Sequence, residues 1–539
     1  MMNYPGRILY SWSLSMRNLV LSLIIGFGAV QYQFAKNTIA ETINKRSSLS
    51  HAVSVIASDD LKRHVDILAD DTFEGRAAGT RGGRAAAGYL RKHLISMELD
   101  PAGINGSYSQ PFRNDCQNIL AVIPGYDEAL SDEFILIGAH YDHVGYGSRK
   151  NSYGPTGYIH NGADDNASGT SALLEIAEAL KVNPCRRSVL IAFWDGEEQG
   201  LWGSKYFIAN PTIPLNQLKL VLNMDMVGRL RDNTLTMYGA RTWSGSRSLI
   251  ATVNTHLIDN PPLKIEFDWE IKENSDHHPF FKTGIPYLMP HTGLHDDYHR
   301  PRDDAHKINS SGIESVARFT YQTVLEIDQL DSFPSFREMS RRETPRAKRR
   351  FENPLAPPPK RLGLNWASEQ ASENGLQVTR IERRSPARDA GIKRGDRIIK
   401  FNGDTITNDD EMRSAVFGAP KDSKITIISP GSGDEKTLDL VLRGKPMRLG
   451  VSWRHDHGNP DTPMISRVIS GSPADLAGLR YTDRIHTING ASWKDADDTA
   501  NPFNGVPFPI NIQYERNGRL YSTTLNLPEM EAVKKSDDA

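Results

Sequence analysis

Five short segments of the chain each carry a side chain that a zinc ion accepts: Ala139-His140-Tyr141-Asp142-His143, Gly162-Ala163-Asp164-Asp165-Asn166, Trp194-Asp195-Gly196-Glu197-Glu198, Asn223-Met224-Asp225-Met226 and Tyr298-His299-Arg300-Pro301. Zinc is bound by imidazole and carboxylate, and a catalytic site keeps one coordination position open for water. One such segment means little. Paired glutamates usually face solvent, and an Asp-Asp-Asn run can cap the start of a helix. All five together, most of them just after strand-like runs, point to a pair of zinc ions and metal-assisted hydrolysis.

Such segments need a scaffold, and one is legible. Apolar runs at 118–123, 134–138, 189–193 and 218–222 read as buried strands, and helical periodicity lies at 84–97, 168–180 and 313–327. This alternation predicts an α/β domain with a mixed, largely parallel sheet flanked by helices. Ligands in such sheets sit at the carboxyl ends of strands. His140, Glu197, Glu198 and Asp225 all follow predicted strands, so the segments fall where the scaffold would place a site.

Composition narrows the function class. A net charge of -2 gives no electrostatic reason to expect nucleic acid. Two cysteines, Cys116 and Cys185, provide no disulfide framework and no thiolate zinc site. The predicted strands that follow them run in opposite senses, which sets the two thiols at opposite sheet edges and disfavours a bridge. Near the N-terminus, Arg17 precedes an apolar stretch at 19–30, of signal-peptide length and short for a membrane span. Gln33-Phe34-Ala35 is a poor cleavage site. The expectation is an exported, periplasmic chain with residues 1–45 either a cleaved signal or a retained anchor, the latter its one contact with a membrane.

The stretch 333–360 breaks the α/β pattern. It carries Arg337, Arg341, Arg342, Arg346, Lys348, Arg349 and Arg350, then Pro354 and Pro357-Pro358-Pro359, and reads as a solvated, semi-rigid spacer. Beyond it lies an internal repeat. Arg361-Leu362-Gly363-Leu364-Asn365-Trp366 recurs as Arg448-Leu449-Gly450-Val451-Ser452-Trp453, Ser385-Pro386-Ala387 as Ser472-Pro473-Ala474, Asp396-Arg397-Ile398 as Asp483-Arg484-Ile485, and Asn402-Gly403 as Asn489-Gly490. Each pair is 87 residues apart.

Residues 60–330 resemble the M28 zinc aminopeptidases, beginning with Phe73-Glu74-Gly75-Arg76 and Gly79-Thr80. The resemblance implies that His140 and Asp225 hold one zinc, Glu198 and His299 the other, and Asp165 bridges both. Asp165 rather than Asp164 is chosen because the family's bridging carboxylate stands three residues before a Ser-Gly, here Ser168-Gly169. A bridging carboxylate offsets the repulsion of two dications held about 3.5–4 Å apart. Asp142 would accept the free imidazole proton of His140 and fix its tautomer. Glu197, beside a ligand but not one, would take a proton from the attacking water and return it to the departing amine. Tyr298 matches a position that contacts the substrate carbonyl in some relatives. His143, His160, His291 and His295 have no matching role and read as surface residues or as supports standing just behind the ligands, and His277 matches a frequent pocket histidine.

The repeats resemble PDZ domains, and Leu362-Gly363-Leu364 matches the loop whose amides hold a peptide C-terminal carboxylate. Thr482 stands where the first unit has Gly395, which puts that turn in question. The resulting division is 46–332 zinc peptidase, 333–360 basic and Pro-rich linker, 361–444 first PDZ, 445–530 second PDZ and 531–539 polar tail. The expected partners are peptide substrates at the zinc site and a C-terminal peptide or protein ligand at the PDZ units. Two rivals predict different metal content: a PDZ adaptor with a non-catalytic peptidase fold would bind no zinc, and a glutaminyl-cyclase-like transferase would bind one.

Overall fold

The computed structural model describes residues 47–356, 360–367, 375–446, 449–495, 503 and 506–526. The expected export segment and the polar tail lie outside them, as do Pro357-Pro358-Pro359 and Arg448.

Continuous apolar runs become the strands that matter. In the sheet domain these are β1 (Asp100–Pro101), β2 (Ser109–Pro111), β3 (Gln117–Ile123), β4 (Phe134–His140), β5 (Ser188–Trp194), β6 (Leu218–Asn223), β7 (Thr234–Tyr238), β8 (Lys264–Phe267) and β9 (Tyr287–His291). The order is β1-β3-β5-β4-β6-β9-β7-β8, with β2 beside β3. Strands β5, β4, β6 and β9 are parallel neighbours, whereas β3 runs antiparallel to β5 and β7 antiparallel to β9. The sheet is therefore mixed with a parallel centre.

Alternate side chains of each central strand enter different layers. Ile135 and Ile137 of β4 join Val189, Ile191 and Phe193 of β5 on one face, while Leu136, Leu190, Ala192 and Trp194 pack on the other. The first face is covered by a helix at 47–55 (α1), α2 (Ser58–Leu68), α3 (Arg81–Ser96) and α4 (Gly169–Val182). The second face receives Phe207 of α5 (Trp202–Ala209). Helices α6 (Ser246–Thr255), α7 (His277–Lys282) and α8 (Ser310–Asp328) follow, with α7 on the second face and α8 against α4. Each apolar side chain fully buried in these layers contributes about 1.5–3 kcal/mol, so the sheet is a rigid platform for whatever its strand ends carry.

The stretch 333–356 departs from the spacer reading. It forms α9 (Pro345–Phe351), capped by Thr344, and is fastened to the sheet domain. Glu343 receives both Arg241, at 2.6 Å, and Arg337, and Lys348 donates to the Phe267 carbonyl at 2.7 Å. The stretch is held through Glu343, which meets Arg241 of the sheet domain, and through basic side chains that reach carbonyls distant in sequence.

The two repeats share one topology. The first contains β10 (Leu364–Trp366), β11 (Leu376–Ile381), α10 (Pro386–Asp389), β12 (Arg397–Phe401), β13 (Asp404–Thr405), α11 (Asp409–Gly418), β14 (Asp422–Ile428) and β15 (Glu435–Val441), in sheet order β10-β11-β12-β14-β15. The second contains β16 (Val451–Asp456), β17 (Asn459–Val468), α12 (Pro473–Leu476), β18 (Arg484–Ile488), β19 (Ala491–Ser492), β20 (Ile510–Arg516) and β21 (Arg519–Leu525), in order β16-β17-β18-β20-β21. Ser385 and Ser472 cap α10 and α12 in the same way. The doubtful turn is kept: Thr482 takes a φ of 73° where Gly395 has 93°. A β-branched residue in the left-handed region is strained.

The second repeat docks on the sheet domain. Backbone amides of Gly245 and Ile265 donate to Gly458 and Asn517, and that of Leu520 donates to the Thr255 hydroxyl. Buried ion pairs join the same surfaces: Arg247 with Glu515 at 2.8 Å, and Arg241 with Asp456, which also receives Arg484 at 2.7 Å.

Candidate dinuclear metal centre

The ends of the parallel strands deliver the acidic and imidazole side chains to one place. His140 is the last residue of β4, and Glu197 and Glu198 stand on the turn after β5. Asp225 follows β6, Asp165 stands just before α4, and His299 lies in the loop after β9. The five segments, spread over 160 residues of sequence, thus close on a single site.

Asp165 faces two ways. Its Oδ1 lies 3.3 Å from His140 Nε2, which is itself 3.5 Å from Asp225 Oδ1. Its Oδ2 lies 3.0 Å from His299 Nε2, which is 3.2 Å from Glu198 Oε2. One carboxylate is therefore shared by two clusters of donor atoms. Groups with donor atoms all within 4.8 Å of one another are His140, Asp165 and Asp225 on one side and His143, Asp165 and Glu198 on the other. Imidazole and carboxylate at such spacing suit zinc.

His143 is the residue that sequence reasoning missed. It is fully buried, and its Nδ1 is 2.8 Å from Glu198 Oε1 and 3.9 Å from Asp165 Oδ2. The turn after β4 curls back to pair His143 with Ala77, which swings the ring inward. Spacing from His140 was the one available signal. The other unassigned histidines are also not surface groups: His160 is buried against Ser152, His291 ends β9, and His295 Nε2 lies 3.1 Å from Asp164 Oδ2. His277 is buried under Tyr287 with Nε2 facing the Lys272 carbonyl. Its neighbour His278 lines the cleft instead.

Asp142 acts differently from expectation. The His140 Nδ1 atom lies 3.2 Å from the Asp142 backbone carbonyl and 3.8 Å from its carboxylate, so the carbonyl fixes the ring. The carboxylate instead accepts the backbone amides of Glu197, at 3.0 Å, and Glu198. Asp303 treats the opposite segment the same way, accepting the amides of Asp164 and Asp165 with one oxygen while Arg229 holds the other. Asp164 is engaged with Ser168, Gly228 and His295, away from the shared cluster.

Charge is concentrated and dry here. Burial, then the neighbouring Glu198, push Glu197 well above the usual carboxylate range despite the attraction of His140. Burial would also raise Asp165, but His140 and His299 hold it well below that range. For His299, burial is outweighed by Asp165 and Glu198, which lift it to about 11. So many buried carboxylates in one pocket call for compensating cations, and the donor set fits two zinc ions. Glu197, Glu198 and Tyr298 line a cleft of about 530 Å³ with Leu201, Ile208 and Pro279. Tyr298 stacks on His299 at 4.0 Å, and burial raises its hydroxyl so that it stays protonated as a donor.

Residues 118–324 match the family model of peptidase family M28, and residues 354–428 match that of the PDZ domain. Over 225 residues the chain is 28% identical to a probable leucine aminopeptidase of Arthroderma otae, covering 40% of this chain and 57% of the relative. Over 219 residues it is 27% identical to aminopeptidase YwaD of Bacillus subtilis, covering 38% and 43%. The chain thus spans about half the length of these curated relatives. Among solved structures, LapA of Legionella pneumophila aligns over 53% of this chain and 77% of its own at 19% identity, with a TM-score of 0.43. The sheet domain resembles the M28 zinc aminopeptidases and is followed by a β-rich PDZ region.

Proposed function

We propose that this chain is a dizinc aminopeptidase that removes N-terminal residues from peptides, exported to the periplasm and equipped with two PDZ units. The observation that carries the reading is Asp165, whose two oxygens face two separate donor sets. His140 and Asp225 would hold one ion and Glu198 and His299 the other, with His143 in reach of the second. Bound zinc would supply an activated water and polarise the scissile carbonyl. The chain's own residues do the rest. Glu197 opens onto the cleft beside Glu198 without belonging to the donor set and, as a carboxylate, accepts the proton of the attacking water and passes it to the leaving amine. Tyr298 offers its hydroxyl to the carbonyl oxygen. Asp142 and the His140 ring contact hold the glutamate pair and the imidazole in place.

The second repeat, which shares strand order, serine cap and left-handed turn with the first, is read as a second PDZ unit. The first presents the loop Leu362-Gly363-Leu364 at a groove of about 460 Å³ closed by Trp366, Val416 and Phe417, suited to a peptide C-terminus. The export reading rests on the basic and apolar pattern of residues 1–45 in the sequence.

Metal analysis with a panel of aminoacyl amides tests the reading. The purified chain should hold two zinc ions and hydrolyse the amides. Glu197→Gln should leave zinc near two per chain and cut turnover by about 10²–10⁴-fold. One zinc per chain with cyclisation of N-terminal glutamine supports the transferase, and no zinc supports the adaptor. Turnover within about tenfold of wild type in Glu197→Gln removes that residue from its role.

A further inference from the structure

Three consecutive residues next to the site hold a backbone that ordinary residues avoid. Glu74, Gly75 and Arg76 all have positive φ, at 51°, 66° and 48°. At Gly75 an added Cβ would stand 2.4 Å from the His160 carbonyl and 2.7 Å from that of Gly145, so no side chain fits. Such strain persists only where the surroundings impose it, and it clusters at functional sites. Here it turns the Arg76 side chain into the protein, where 1% of the residue remains exposed.

The guanidinium finds carbonyls rather than acids. Its Nε donates to the Tyr141 carbonyl at 2.9 Å, one Nη to the carbonyls of Leu68 and Asn161 (the latter at 2.7 Å), and the other Nη to that of Gly162 at 2.9 Å. The Arg76 carbonyl in turn accepts the His143 amide. Tyr141 lies between His140 and Asp142, and Gly162 lies three residues before Asp165. One side chain therefore ties the strand end that carries His140, Asp142 and His143 to the loop that presents Asp165. No ion pair to Arg76 occurs among the described residues. A buried cation without an acidic partner is costly, and its charge is turned toward a cluster of carboxylates.

We infer that Arg76 is the positioning residue that holds the shared Asp165 in place against His140 and His143 by clamping the His140–His143 turn to the Asp165 loop. The inference rests on the dizinc reading. Arginine suits the task because its planar fork presents five donors in fixed directions. Lysine offers a single point of charge and cannot reach carbonyls on three separate segments, the end of α2, the turn after β4 and the loop before Asp165.

The test compares Arg76→Lys and Arg76→Met with wild type in the full chain. Folding is followed by circular dichroism, zinc affinity by chelator competition, and site geometry by the visible spectrum after cobalt substitution. Wild type should bind two ions; if it does not, the dizinc reading fails before Arg76 is at issue. In the variants, the expected result is a folded chain with affinity for at least one ion lowered about 10–100-fold and an altered cobalt spectrum. The kcat on small aminoacyl amides should fall with KM within about twofold of wild type. A folded Arg76→Lys with wild-type affinities and spectrum overturns the inference. So does failure of both variants to fold, which would make Arg76 a residue of the fold rather than of the site.

Discussion

Asp456 is the hinge pin of the contact between the second repeat and the sheet domain, and its removal gives a graded test. Its carboxylate is 1% exposed and accepts Arg241 at 2.8 Å, Arg484 at 2.7 Å and the Gly458 amide at 2.9 Å. Asp456→Ala would leave Arg484, also 1% exposed, with the Thr462 carbonyl as its remaining hydrogen-bond partner. Stranding a buried charge costs about 3–5 kcal/mol. Arg241→Met is milder, because Asp456 keeps Arg484 and Glu343 keeps Arg337. That variant loses charge-assisted hydrogen bonds worth about 1.5–3 kcal/mol while every remaining charge stays paired. Hydrogen exchange reads the opening directly at the Gly245, Ile265 and Leu520 amides, whose bonds cross the interface. At tenfold per 1.4 kcal/mol, exchange there should accelerate roughly 10²- to 4 × 10³-fold in Asp456→Ala, and less in Arg241→Met. Amides of the central strand β5 should be unaffected. The pH dependence has a definite sign. Burial opposes ionisation of Asp456, but Arg484 and Arg241 hold its carboxyl well below the ordinary range. Its contribution is therefore complete above about pH 4, the value for an unfolded aspartate, and fades as pH falls toward the folded value. The gap between wild type and Asp456→Ala should narrow in acid. Unchanged exchange at the three amides in both variants at pH 7 would refute the reasoning.

Asp165→Ala should lose at least one zinc by metal analysis, whereas Asp164→Ala should keep both and lower the melting temperature, because Asp164 serves Ser168, Gly228 and His295; the reverse pattern would move the bridging role to Asp164. Thr482→Gly should relieve the left-handed strain and raise the stability of the second repeat by about 1 kcal/mol, less the backbone entropy that glycine adds to the unfolded chain; a lower melting temperature would show the threonine to be favoured there. Peptides of ten or more residues with free C-termini should show a lower KM than the same peptides amidated, while aminoacyl amides are indifferent, since the groove at Leu362-Gly363-Leu364 would raise their effective concentration; equal KM values would leave the groove without a part in substrate capture.

The sheet was legible because β4 and β5 are long apolar runs and β6 is one interrupted by Lys219 near its start, and only strands buried on both faces need to be so apolar. Three of the five acidic and imidazole segments, those of His140, of Glu197 and Glu198, and of Asp225, were legible because they follow those runs directly. The part of His143 was hidden because it depends on a turn that folds back to Ala77, a contact made across 66 residues. Asp142 was assigned to the His140 ring, yet it serves the Glu197 and Glu198 amides, and backbone donors leave no trace in a sequence. The stretch 333–356 looked solvated because its seven basic residues outnumber its three glutamates, Glu338, Glu343 and Glu352. Asp456 and Glu515, which complete the docking surface, lie more than 200 residues from Arg241 and Arg247, which they meet across it. Composition weighs neighbours along the chain, and this interface is made of strangers.

The two thiols carry a consequence for how the molecule can be handled. Cys116 and Cys185 are both free and buried, and they precede strands that run in opposite directions. With Ile119 opposite Phe193 and Ile123 opposite Val189, the thiols stand at opposite ends of the pair, roughly 20 Å or more apart by strand length. A disulfide needs its Cα atoms within about 7 Å. No covalent staple can form within the fold, and none is needed. A fold that closes no disulfide keeps the same architecture whether its surroundings are reducing or oxidising.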